Sequence, residues 1–184
     1  MASTFIDRSP SGFTDALCKR IEKALASFWQ EGERDDYHEP HVHAQFLPVS
    51  KTESQERDET KDCPFVQTVI TGGEIFDFHE VANGSVINIS IYFTGHSDDT
   101  DNQGWRIPAS MMWRVLQDFL SNTLIEGYQF EAPCKWTVLN TREPPYYTAQ
   151  LDTRWRGAPP SFEVPVGIFI DTGNNQEETH EVKV

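Results

Sequence analysis

Pro144-Pro145-Tyr146-Tyr147-Thr148-Ala149-Gln150-Leu151-Asp152-Thr153-Arg154-Trp155 carries the pattern on which the fold turns. After two prolines that break the chain, Tyr147, Ala149, Leu151, Thr153 and Trp155 fall on one face of an extended segment. Gln150, Asp152, Arg154 and Arg156 fall on the other. Strict alternation of this kind predicts a strand with one buried face. It closes a longer stretch, from Cys63 to Pro160, that reads strand, strand, helix, strand, strand.

The other members of that stretch follow from the same periodicities. Residues 64–70 are rich in strand formers and stop at Gly72-Gly73. Residues 85–93 put Ile87, Ile89, Ile91 and Phe93 on one face, with Asn88, Ser90 and Tyr92 opposite. Asn83-Gly84 marks the turn before them, and residues 65–93 read as one long hairpin. Pro108 suits the first turn of a helix whose buried stripe is Met112, Val115, Leu116, Phe119 and Leu120, ending at Ser121-Asn122. Tyr128-Gln129-Phe130 opens the next extended segment. Cys134 to Leu139 forms a third strand, with Trp136 and Val138 beside Cys134 on one face, where Trp136 reads as core or half-core.

Upstream, a first helix is predicted with Thr14 as N-cap and Asp15 in its first turn. Phe13 staples its start, and Leu17, Ile21, Ala24, Leu25 and Phe28 recur on one face. It fades at Glu31-Gly32. The predicted fold is therefore α+β: two helices packed on a four-stranded, mainly antiparallel sheet in the order α-β-β-α-β-β. One domain spans residues 1–160. Residues 31–62 are an inserted, charged, partly disordered loop in which residues 41–49 allow a short strand. Residues 161–184 form a C-terminal arm, apolar from Phe162 to Ile170, and then an acidic tail.

Composition narrows the function. The formal net charge is −14, with 15 Lys and Arg against 29 Asp and Glu, so the surface repels phosphate and argues against gripping nucleic acid. It is compatible with surrounding DNA that slides through. No apolar run is long enough for a bilayer span. The first residues lack a charged and apolar leader pattern, which argues against secretion. Three widely spaced cysteines, Cys18, Cys63 and Cys134, read as reduced thiols and not as a disulfide set.

One cluster invites metal chemistry. In His38-Glu39-Pro40-His41-Val42-His43, an extended chain puts His41 and His43 on one face, where imidazoles bind transition metals. A cupin-like site on His38, His41 and His43 is the chemical alternative; a polar loop that happens to hold three histidines is the ordinary one. No nucleophile elbow, phosphate loop or dinucleotide fingerprint is present. The reading is of a protein that is not an enzyme and holds no cofactor. The tryptophans are ordinarily core, but Trp113 lies one residue off the helix stripe and is placed to meet another subunit.

Cys63-Pro64-Phe65-Val66, the isoleucine-rich strand ending in Tyr92-Phe93-Thr94, Gly104-Trp105-Arg106 ahead of a helix, and Pro145-Tyr146-Tyr147-Thr148-Ala149-Gln150-Leu151 through Trp155 together resemble tail-terminator neck proteins of tailed bacteriophages. The resemblance covers about half of the chain. It implies a homo-oligomeric ring, typically a hexamer, at the head-proximal end of the phage tail. Such a ring ends tail-tube growth and joins tail to head connector or stopper, with DNA passing through its lumen. Localisation in the virion, after assembly in the host cytoplasm, follows, with no membrane partner. Another neck or head-completion protein is the alternative. Residues expected at the contacts are Phe76, Phe78, Trp105, Trp113, Tyr146 and Arg154. The family carries no catalytic residues to transfer.

Overall fold

Alternation and helical periodicity translate into a layered structure in the computed structural model, which describes residues 9–28, 39–47, 63–75, 84–97, 103–139 and 145–157. The elements are α1 (Pro10–Leu25), β1 (His41–Ala44), β2 (Phe65–Ile75), β3 (Ser85–His96), α2 (Arg106–Ser121), β4 (Leu124–Ile125), β5 (Tyr128–Leu139) and β6 (Tyr146–Gly157). The six strands form one sheet in the order β1-β2-β3-β6-β5-β4. It curls into a half-barrel around α1, which touches β1 and β2 near one edge and β4 at the other.

This corrects the expected four-stranded, mainly antiparallel sheet. The sheet is six-stranded and mixed, because β1 runs parallel to β2 with His41 opposite Phe65 and Ala44 opposite Thr68. Gln45 fixes that addition. Its N–H donates to the Thr68 carbonyl at 2.7 Å, and its side-chain oxygen accepts from the Ile70 N–H at 2.6 Å. At the other edge, β4 is a two-residue strand turned back onto β5 through Glu126 (φ 45°) and Gly127 (φ 85°). Two consecutive left-handed residues make a tight hairpin turn. Glutamate is an uncommon residue there, so the turn leaves little trace in the sequence.

Local boundaries also move. Ser9, not Thr14, caps α1: its hydroxyl accepts from the Gly12 N–H at 3.1 Å, and Pro10 occupies the first turn. Thr14 lies inside the helix and donates to the Pro10 carbonyl at 2.7 Å. β2 runs on past Gly72-Gly73, as the long-hairpin reading of residues 65–93 requires. It slips register between Ile70 and Gly72 and continues to Ile75. Gly73 permits the continuation, since a Cβ there would lie 2.6 Å from the Val86 carbonyl oxygen.

The core lies between the helices and one face of the sheet. Phe13, Leu17, Ile21 and Leu25 of α1 meet Met111, Met112, Val115, Leu116 and Phe119 of α2 over the β3 and β6 stripes. Leu120, expected in the α2 stripe, is 59 % exposed, and Met111 is buried instead. The stripe therefore centres one residue earlier than the sequence reading places it. Trp155 is fully buried, with the rings of Phe13, Phe119 and Phe130 all within 5.3 Å of its own. Its indole N–H donates to Thr153 Oγ1 at 3.0 Å, and that hydroxyl donates to the Ile89 carbonyl. The largest apolar side chain is thus buried with its polar atom satisfied.

Candidate interaction surface

Where the sheet outruns the helices, aromatic side chains reach solvent. Trp136 is the clearest case. It shares a sheet face with Cys134 and Val138 and stands opposite the buried Leu151, so it points to the helix side as its alternation requires. Yet it is 54 % exposed, the half-core end of a core or half-core reading, because α2 covers that end of β5 only in part. Trp113, 49 % exposed, packs edge-to-face against it at 6.2 Å.

Trp105 extends the patch. It stands at the cap position of α2 with helical backbone angles and no side-chain capping bond. The Arg106 guanidinium lies 5.9 Å from its ring centre, within cation–π range. Trp105, Met112, Trp113, Trp136, Val138 and Phe28 line an open groove of about 800 Å³. Among the described residues Arg106 and Arg114 are the charged residues of its wall, and no carboxylate lines it. Arg114 also donates to the carbonyl and hydroxyl of Ser27 after α1, which fixes the groove's far side.

The groove borders an open strand edge. β4 accompanies β5 only at Tyr128 and Gln129. From Lys135 to Leu139, β5 is paired with β6 alone among the described residues. Such an edge offers backbone donors and acceptors to an incoming strand. The register slips between Glu131 and Lys135, where Pro133 has no N–H to give to the ladder.

The sheet face away from the helices is polar and internally wired. Ser90 donates to Asp152 at 2.6 Å, and Gln150 donates to the same carboxylate oxygen at 2.8 Å. Glu131 accepts from Arg156 and, at 3.1 Å, from Arg154, while Arg154 also lies 3.8 Å from Glu74. The Arg156 hydrogen bond, reinforced by charge from both arginines, holds the Glu131 carboxyl below its usual range.

The expected contact residues therefore scatter. Trp105 and Trp113 share the groove. Arg154 belongs to the polar face. Tyr146 is half-buried, edge-on to His96 at 5.2 Å. Phe76 and Phe78 lie outside the described residues. Sequence reasoning missed Trp136, Phe28 and Arg106 as groove residues. For Trp136 the sequence signal was an excess of tryptophan over what one small core needs.

His41 and His43 stand side by side on β1 with ring centres 6.3 Å apart, and His43 lies 6.3 Å from Phe65. His38 is outside the described residues. Among the described residues no group of three or more His, Cys, Asp or Glu is gathered as a metal would need. Among the described residues Cys18, Cys63 and Cys134 form no disulfide. Burial pushes the Cys18 thiol up, against the opposing pull of its 3.3 Å hydrogen bond with Thr68, so it stays protonated and unreactive.

No protein-family model matches the chain, and no curated protein matches it. Among solved structures it is similar to a chain of the "Virion of native gene transfer agent (GTA) particle". The identity is 7 % and the TM-score 0.38, over 84 % of this chain and 98 % of that one. A likeness of that degree bears on neither fold nor function.

Proposed function

We propose that this chain is a structural virion subunit of the tail-terminator kind. Copies join through exposed sheet borders into a closed ring, typically of six, at the head-proximal end of a phage tail. The ring stops tube growth and offers its other side to the head connector or stopper. One observation carries the reading: partly exposed Trp105, Trp113 and Trp136 lie together beside the open β5 edge. Exposed tryptophan gathered in a groove is the composition of an assembly contact, where aromatic anchors dominate the energy.

A ring needs a heterologous contact, one patch meeting a different patch on the next copy until the rotation closes. A strand edge with an apolar groove is one half of such a pair. The net charge of −14 suits the lumen, since an acidic wall lets a polyanion pass without holding it. No catalytic step is assigned to the chain.

Native mass spectrometry and electron microscopy of the purified protein, alone and mixed with tail-tube protein, test this. Closed rings that cap tube ends are expected. A protein that stays monomeric at every concentration, and leaves tube length unchanged, overturns the reading.

A further inference from the structure

The groove and the open β5 edge define what should fill them: an extended segment with apolar side chains on one face, negative charge near its ends, and backbone groups free to pair. This chain contains one. From Phe162 to Ile170 the sequence alternates Phe162, Val164, Val166, Ile168 and Ile170 with Glu163, Pro165, Gly167 and Phe169. That is the period of a strand with one apolar face. Pro165 is acceptable in a strand with an unpaired outer edge. Glu163 and Asp171 are acidic, and no Lys or Arg occurs from Ser161 to His180. The groove offers Arg106 and Arg114 and, among the described residues, no carboxylate.

We propose that residues 161–171 of one copy add as a strand to the β5 edge, Lys135–Leu139, of a neighbouring copy, with the apolar face of the arm laid over Trp136 and Trp113. This inference rests on the reading of the chain as a ring subunit and supplies the contact that closes the ring.

The path of the chain selects a neighbour's groove over its own. Trp136 and Val138 face Leu151 and Ala149 of β6, and β6 then runs on to Gly157. Six further residues of strand carry the chain about 20 Å past the groove. β6 thus ends at Gly157 running away from its own groove. To fill that groove the arm would have to reverse across the end of the sheet and pass β4. To reach the next copy it need only continue.

Site-directed cross-linking separates the possibilities. The half-buried, free Cys134 lies at the start of the open edge. In the full chain with Cys63→Ser, a Val166→Cys substitution should give, on mild copper–phenanthroline oxidation, a ladder of covalent multimers on a non-reducing gel. The ladder should disappear on reduction, when Cys134→Ser is added, and when Lys183→Cys replaces Val166→Cys. A shortened chain of residues 1–157 should associate at least about tenfold more weakly than the full chain by sedimentation, and its circular dichroism should keep the parent's sheet signal.

A faster-migrating monomer in place of the ladder means the arm folds back on its own subunit, and overturns the proposal. So does an absence of cross-linking. If residues 1–157 form rings as readily as the full chain, the arm is not the closing contact although the ring reading stands. If the full chain never associates, both fall together.

Discussion

At the scale of single residues, Arg20 joins α1 to α2 and β4. From α1 its Nε donates to Asp118 Oδ2 at 2.6 Å, and its remaining nitrogens donate to the carbonyls of Asp118, Asn122 and Leu124. The guanidinium also lies 5.7 Å from the centre of the Phe119 ring. The last carbonyls of a helix have no partner within it and carry the negative end of its dipole. Arg20 donates to two carbonyls at that end of α2, those of Asp118 and Asn122, and ties α1 to β4 in the same fork. Its side chain is only 14 % exposed, so the pair is screened less than a surface ion pair. Arg20→Ala should cost about 2–3 kcal/mol, in line with the value of hydrogen bonds to charged groups. Arg20→Lys should recover less than half, because one ammonium cannot serve a planar fork. Urea unfolding with an unchanged slope measures both; a lysine variant as stable as the parent would refute the account. Little of this was legible beforehand. Arg20 sits among ordinary polar residues of an amphipathic helix, and its partners come from about a hundred positions away.

At the scale of elements, alternation made β3 and β6 readable, because each buries one face and exposes the other. What local pattern does not contain is how far one element extends over the next. Trp136 obeys the alternation of β5 and still reaches solvent, because coverage depends on where α2 crosses the sheet. β1 pairs in parallel after a long connection, and β4 is too short to show a period. The tryptophans divide on the same ground. Trp155 is fully buried among three aromatic rings, so Trp155→Ala should cost about 3–5 kcal/mol. Trp105 is 43 % exposed and caps α2 without a side-chain bond, and Trp113 reaches solvent beside it. Trp105→Ala and Trp113→Ala should each lower stability by under about 1 kcal/mol while weakening self-association. A thermal melt paired with sedimentation separates the two effects. If Trp113→Ala unfolds the protein as Trp155→Ala does, the groove is core and not a contact.

At the scale of the whole molecule, charge decides the conditions under which copies meet. Each carries a formal −14, and the proposed ring of six would bring six such charges together. Repulsion acts over about 10 Å at 0.1 M salt and about 3 Å at 1 M. The contacts proposed to close the ring are mostly apolar, and salt does not weaken them. The attraction of Arg106 and Arg114 for an acidic segment is screened too, but two cations per groove are few against fourteen net negative charges per copy. Raising sodium chloride from 0.05 M to 0.5 M should therefore strengthen self-association, opposite to the trend for a contact built on ion pairs. Sedimentation across a salt series at fixed protein concentration reads the sign directly. Association that weakens steadily with salt would mean that charge pairing holds the copies together, and the tryptophan groove would lose its place as the principal contact.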